Sequence, residues 1–501
     1  MKITNFKILG LIVILASLTG CEDFLEVEPK AVISADGYLQ SEKEAEQMLT
    51  GAYDMLCKRY TTELGEWTAA QCDDHMFEQF PWFDYASIQT SDATIHNVWI
   101  DFFEAIRRSN QVIEKVGAMP DSKIDPNQRD RYVAEAKYLR AFYHFLMHRL
   151  WGTFPIVTEV LPAIKEELQV EKATLQEIWS QIEQDLNDAR AVLPSQSAYA
   201  SKDLGRATLG AANALKAIVH LYQGEWQNAY DRANDVITSG EYQLTDNWMD
   251  AIQLDHNAEV IWARLAMDGG LFLKNPAPGE SWPETSEGTE APIWARTGKY
   301  GGWMQRPGSG SLHNEFEDGD PRLNWTLAIP GDTINGQVVP DSTRSTGFGY
   351  QAIDTRLYGA RKLWWETGWP PSSHKRNAGW DWPFIRLAEM YLVRAEASIK
   401  LGNFEDAASD INMVRSRATV QMPDVGPFSN EDEAMDAIIH ERRVELAFER
   451  KRKFDLVRWG IAEEVLSKLQ LNYESPRNDY WPIPQKEIDL SDGKLKQNSG
   501  Y

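Results

Sequence analysis

A glycine, one residue, an aromatic, two residues and an alanine, in that order, twice join two helical patterns in this chain. The clearer copy lies in FIRLAEMYLVRAEASIKLGNFEDAASDINMVRSR, Phe384 to Arg417. Its first half is apolar on most sides (Phe384, Ile385, Leu387, Met390, Leu392, Val393, Ile399), the mark of a helix buried all round. Gly402 is placed to end that helix and Asn403 to cap the next, with Asp406 three residues on. The second helix carries one apolar stripe, Phe404, Ala407, Ala408, Ile411 and Val414, at helical spacing. The earlier copy, His220 to Val236, superposes with Gly224 on Gly402, Trp226 on Phe404, Ala229 on Ala407 and Val236 on Val414.

This is the turn of a tetratricopeptide-type repeat. One such pair cannot bury its own apolar face, so both copies are expected in one stack of helix pairs. The fold class expected is therefore mainly α: a tetratricopeptide-like scaffold with a loop-rich, Trp-rich second lobe. Helical periodicity is read at 42–59, at 97–116 (Trp99, Phe103, Ile106, Asn110 and Ile113 inward), at 135–157 (Ala136, Leu139, Phe142, Tyr143, Leu146, Leu150 inward) and at 174–193. From 240 the pattern fades. Nine of the nineteen Trp fall between 282 and 382, in a stretch read as a long irregular insertion with short strands near Val260 and Leu327. The divisions expected are 1–20 signal peptide, 21–41 tether, 42–240 first part of the scaffold, 241–382 insertion lobe and 383–501 second part. Within the last, 437–460 reads as one long charged helix whose Arg and Glu form ion-pair networks supporting the fold.

Composition narrows function. A net charge of −24 argues against phosphate-backbone binding, so no nucleic-acid partner is expected. At the N-terminus, Lys2 and Lys7 precede a short apolar run, Ile8 to Leu18, and then Leu18-Thr19-Gly20-Cys21. The run is too short for a bilayer, which needs about 20 apolar residues, and reads as a signal peptide. Its ending resembles a bacterial lipobox, which implies that Cys21 becomes the first mature residue and carries lipid. At about 0.8 kcal/mol per buried methylene, several acyl chains hold a protein on a membrane. Glu22 and Asp23 resemble the acidic signal that directs such lipoproteins to the cell surface. Cys57 and Cys72 have a compartment that permits a disulfide, and two buried thiols fit the sequence equally well.

Taken together, four blocks resemble the SusD/RagB family of outer-membrane lipoproteins: Cys21 with Phe24-Leu25-Glu26 and Pro29; EAKYLRAFYHFLMHRLWGTFPIV; FIRLAEMYLVRAEASIKLGNFEDA; and ERRVELAFERKRKFDLVRWG with WPIPQKEI and QNSGY. The resemblance runs nearly end to end. It implies about four tetratricopeptide-like helix pairs, a loop-built ligand site, and a surface lipoprotein that passes a nutrient, usually an oligosaccharide and in some members a peptide, to a SusC-type TonB-dependent transporter. It implies no enzyme activity and no cofactor.

Sugars present flat C–H faces fringed by hydroxyls, which suit Trp and Tyr rings flanked by polar groups. The loop 60–93 and the insertion 270–380 mix both outside clear helices. The candidates there are Trp82, Tyr85, Trp282, Trp303, Trp364 and Trp365, with Asp74 and Arg296 as polar partners; Trp99, Trp226 and Trp459 are assigned to the core. No GxSxG, HExxH or phosphate-cradling glycine loop is present. His144 and His148 have a metal-compatible spacing, but packing beside aromatics is the expected role. EFEDGDPR (315–322), with Asp318 and Asp320, lacks the spacing of a calcium loop and reads as a turn. Replacing Cys21 with Ala is expected to abolish fatty-acid labelling and release the protein from the membrane fraction. Labelled, membrane-bound Cys21→Ala protein would contradict the lipobox reading.

Overall fold

The computed structural model describes residues 39–57, 72–74, 88–160, 171–265, 308–334, 337–338, 358–363, 381–469 and 472–501. The main helices are α1 (Glu42–Tyr53), α2 (Ala93–Gln111), α3 (Pro126–Trp151), α4 (Leu175–Val192), α5 (Leu209–Gln223), α6 (Trp226–Ile237), α7 (Leu387–Lys400), α8 (Phe404–Arg415), α9 (Glu431–Glu445) and α10 (Arg452–Arg458). Two strands, β1 (Val260–Arg264) and β2 (Trp382–Arg386), pair antiparallel.

Both glycine turns form as the sequence predicts. Gly224 and Gly402 have φ of 72° and 80°, a left-handed conformation that costs glycine nothing. Each closes the same cap: Glu225 N donates to His220 O at 3.0 Å, and Asn403 N to Ser398 O at 2.8 Å. Trp226 and Phe404 each open the second helix, while Ala229, Ala407, Val236 and Val414 are buried. Asn403 occupies the cap position, but its side chain makes no capping bond. At α4 the cap is a full box: Thr174 Oγ1 accepts from Glu177 N at 3.2 Å, and Glu177 Oε2 from Thr174 N at 2.7 Å.

α3 is buried on nearly every side and is the centre of the largest core cluster. Its Trp151 meets Trp99 and Trp481 edge-on, at 5.1 and 5.7 Å between centroids. Further along α3, Tyr138 and Phe142 pack edge-on against Trp262 of β1. Trp99 is in the core as expected, whereas Trp226 and Trp459 are half-buried at its edge.

Two helical readings need correction. Phe384 to Arg386 belong to β2, and α7 begins at Leu387. An apolar run does not distinguish a buried helix from a buried strand, and the deciding partner, β1, lies far away in sequence. The charged stretch 437–460 is not one helix either: it breaks between α9 and α10, where Phe448 and Arg450 have φ of 64° and 66°. Near Leu327 there is a short helix, Arg322–Thr326, followed by a single bridge from Ala328 to Gly359 rather than a strand. Cys57 and Cys72 are both thiols.

The break lets α9 and the turn after it feed one buried charge network. Glu445 Oε1 accepts from Arg386 Nη1 at 2.7 Å, and Oε2 from Arg322 Nη1 at 3.0 Å and Trp248 Nε1 at 2.7 Å. Arg386 also grips Glu449 and Glu259, and Lys362 Nζ donates to Glu449 Oε1 at 2.6 Å. Arg415 and Arg417 close the set on Glu441 and Glu259. With Asp320 on Arg322, the buried cations Arg322, Lys362, Arg386, Arg415 and Arg417 face the buried anions Glu259, Asp320, Glu441, Glu445 and Glu449. Burial opposes ionisation of Glu445, but Arg386, Arg417, Arg322 and Lys362 outweigh it and hold the carboxyl far below the usual range.

Removing one member leaves uncompensated buried charge, which costs about 3–5 kcal/mol. Glu445→Gln is therefore predicted to lower the urea midpoint sharply, while Glu464→Gln, in an exposed pair with Lys468, leaves it in place. Glu445, Glu449 and Asp455 all have depressed carboxyls. Their contribution is complete above the ordinary carboxylate range, about pH 4, and is lost as pH falls below it. A wild-type midpoint that is flat from pH 7 to 3, or equal effects of the two substitutions, would contradict this.

Candidate functional site

The stretch ERRVELAFERKR, residues 441–452, ties down several separate pieces of chain. Arg452 grips Asp73 through Nε and Nη2, each at 2.9 Å. Arg443 reaches Asp73 Oδ2 and Asp74 Oδ1, each at 3.0 Å. Arg443 also donates to Glu315 Oε2 at 2.6 Å and Ser311 Oγ at 3.0 Å. Ser309 N donates to Asp74 O at 2.9 Å, and its hydroxyl donates to Asp73 O. Gly308 and Tyr358 then exchange backbone bonds at 2.7 and 3.1 Å. Lys362 Nζ donates to the backbone oxygen of Glu445 at 2.8 Å, and the Arg450 guanidinium lies 4.0 Å over the Trp382 ring.

Asp74 and Trp382 thus touch this charged rack directly, and Gly308, Tyr358 and Leu363 are joined to it through Ser309 and Lys362, at or next to the borders of 75–87, 266–307, 339–357 and 364–380. Trp82 and Tyr85 fall in the first of these; Trp282, Arg296 and Trp303 in the second; Trp364 and Trp365 in the last. All seven lie outside the described residues. Asp74 is described, and it is 1% exposed with its carboxylate turned onto Arg443. A buried carboxylate engaged in this way is an anchor for the segment rather than a group facing solvent. Burial resists ionisation of Asp73, yet Arg443 and Arg452 hold its carboxyl down. Burial, with the Asp73 charge beside it, pushes the Asp74 carboxyl up despite Arg443.

The sequence showed the charge run and its ion-pairing role. It gave no sign that the partners would be Asp73, Asp74 and Glu315. Ion pairs leave no periodicity and carry no record of which distant carboxylate they meet.

Beside the β1–β2 ends, where 266 and 380 adjoin the described chain, lies a cleft open to solvent. Its walls include Tyr199, Leu204, Leu254, Trp262, His256 and Asp381. Leu204 and Leu254 are exposed, and His256 Nδ1 lies 3.6 Å from Asp381 Oδ2. Exposed apolar side chains next to polar groups suit a ligand with one apolar face and one hydroxylated edge. A second cleft lies against Phe142, Tyr222 and Phe384. Its Arg442 and Lys451 are already committed to Asp455 and Glu389.

His144 is buried beside Phe154, and burial pushes its ring down to about 3. His148 packs 4.3 Å from Trp179, with Nδ1 2.8 Å from Gly152 O. Both match the packing role. Asp320 is committed to Arg322, and Asp318 is exposed in a turn whose Gly319 has φ of 86°. Among the described residues no helix is long and apolar enough to cross a membrane.

Two family models match the chain. The SusD family model covers residues 304–501, and a model described as starch-binding associating with outer membrane covers 23–221. The chain is 27% identical to SusD-like protein P38 of Formosa agariphila, over all of both chains. Among solved structures, a laminarin-binding SusD-like protein is 28% identical with a TM-score of 0.75, over 92% of this chain and all of that one. A SusD-like protein from Bacteroides fragilis, at 23% identity, shares the fold with a TM-score of 0.77 over 93% of this chain and 98% of that one.

If the rack anchors the 72–74 segment, Arg443→Gln accelerates limited proteolysis within residues 58–87 and leaves the α5–α6 hairpin intact. Unchanged cleavage there would argue that the anchor lies elsewhere.

Proposed function

The chain belongs to the SusD/RagB family, and from that premise we propose that it is a surface lipoprotein that binds oligosaccharide and hands it to a SusC-type TonB-dependent outer-membrane transporter. Lipid on Cys21 holds it to the outer membrane. Trp82, Tyr85, Trp282, Trp303, Trp364 and Trp365 offer the apolar platforms, with Arg296 serving sugar hydroxyls. Asp74 contributes by fixing residues 72–74, the described chain next to the Trp82 segment. The 241–382 lobe presents cargo, and the helix pairs on either side carry it. The protein binds and releases its cargo without catalysis.

The observation that carries this reading is the rack at 441–452. Segments far apart in sequence, each rich in aromatic residues, have borders bonded to one buried set of charges. Such a set fixes the described ends of these segments relative to one another, which supports a reading in which their rings serve one ligand. The family descriptions, starch-binding and outer-membrane association, agree with it. The 28% identical relative named for laminarin makes a β-glucan the first cargo to test.

Titration calorimetry against laminarin oligosaccharides and a wider glycan panel tests the proposal. Saturable binding of at least one glycan is expected, with no release of reducing sugar. Trp282→Ala or Trp303→Ala is expected to weaken it about tenfold or more, about 1.4 kcal/mol. Purification from the native membrane is expected to bring down a barrel transporter. Peptide binding with silence on every glycan would move the cargo to the peptide class, and turnover of a polysaccharide would overturn the non-catalytic reading.

A further inference from the structure

A cluster on the opposite side of the sequence from the rack is made by α4 and the α5–α6 turn. Glu183 of α4, His220 in the last turn of α5 and Glu225 just before α6 bring one donor atom each within 4.8 Å of one another. His220 is 3% exposed. Its Nδ1 lies 2.7 Å from Glu225 Oε2, but the contact lacks hydrogen-bond geometry, and this buried nitrogen has no hydrogen-bond partner. Glu183 is steadied by Gln223, whose Nε2 donates to Oε1 at 2.9 Å. Glu225 is 42% exposed at its side chain, which leaves a path for an ion and for water.

The second hairpin shows that the turn itself does not need these groups. The positions matching His220 and Glu225 are Ser398 and Asn403. The backbone cap there is the same, at 2.8 Å against 3.0 Å, and Gly402 has the same left-handed φ as Gly224. An imidazole and a carboxylate at this turn, met by a second carboxylate from α4, are therefore additions to the scaffold.

We propose that Glu183, His220 and Glu225 form a binding site for a borderline divalent cation of the zinc type. One neutral imidazole and two carboxylates carry two negative charges, which a divalent ion neutralises, and imidazole ligands favour zinc-type ions over calcium or magnesium. Burial disfavours protonation of His220, with Lys216 acting in the same direction against Glu183 and Glu225; the ring is thus kept in its metal-binding form. The Lys216 ammonium is itself engaged by Asn187 Oδ1. Tetrahedral donors at about 2.0–2.1 Å from zinc stand about 3.3 Å apart. Side-chain adjustment of Glu183 and Glu225 brings the three to that spacing, and water fills the open position. The ion clips α4 to the first hairpin turn. Residue spacing does not reveal it, because the ligands come from α4, the end of α5 and the residue before α6, and match no metal-binding spacing.

The test is calorimetry of the full-length protein in detergent, stripped with EDTA and titrated with zinc chloride. One saturable equivalent is expected, at least tenfold weaker in His220→Ala and in Glu225→Gln, and unmatched by calcium or magnesium. Far-UV circular dichroism checks that each variant is folded. Glu225 is exposed, so its variant keeps the test decisive should His220→Ala fail to fold. No saturable zinc binding, or unchanged affinity in either folded variant, overturns the proposal.

Discussion

The carboxylate of Glu445 is fully buried, and Arg386, Arg322, Arg417 and the Trp248 indole converge on it. Such a group is tolerable only when every partner is in place, because an isolated ion in a low-dielectric interior carries a desolvation cost of several kcal/mol. The partners come from β2, from the loop-rich middle of the chain and from the end of α8. Satisfying Glu445 therefore fixes how the chain from β2 onward meets residues 308–334 and 358–363. Arginine suits this task better than lysine, since its planar fork donates to two carboxylates at once. Arg386 does this between Glu449 and Glu445, and Arg415 between Glu441 and Glu317.

The same stretch of chain faces two ways. From one side Glu441, Glu445 and Glu449 hold Arg322, Lys362 and Arg386; from the other Arg443 and Arg452 hold Asp73 and Asp74. The positive φ values at Phe448 and Arg450 interrupt the helix and turn successive side chains in different directions. Backbone strain of this kind persists where surrounding contacts over-determine it. Here the contacts are the ion pairs and the Arg450–Trp382 stack.

How much of this was legible follows from the range of each interaction. The glycine turns were readable residue by residue, from Gly224 and Gly402 to Val236 and Val414, because caps and helical stripes are local. The β2 strand was misread as helix, since what makes Phe384–Arg386 a strand is β1, more than a hundred residues earlier. Asp74 was noticed for its place in a loop of aromatics, but its partner Arg443 is 369 residues away, and no spacing rule reaches that far. The aromatic segments were legible as composition; the ion pairs that hold their described borders needed three dimensions.

The central claim is that one buried charge rack arranges the aromatic segments around a common cargo. A crystal structure of the protein with a bound oligosaccharide tests it most directly. The account predicts sugar rings lying on indoles from at least two of the segments 75–87, 266–307 and 364–380, on the side of the molecule where Asp74, Gly308 and Trp382 are rooted. Sugar seated instead on the outer faces of the α5–α6 or α7–α8 hairpins, with those indoles sealed in the interior, would contradict it.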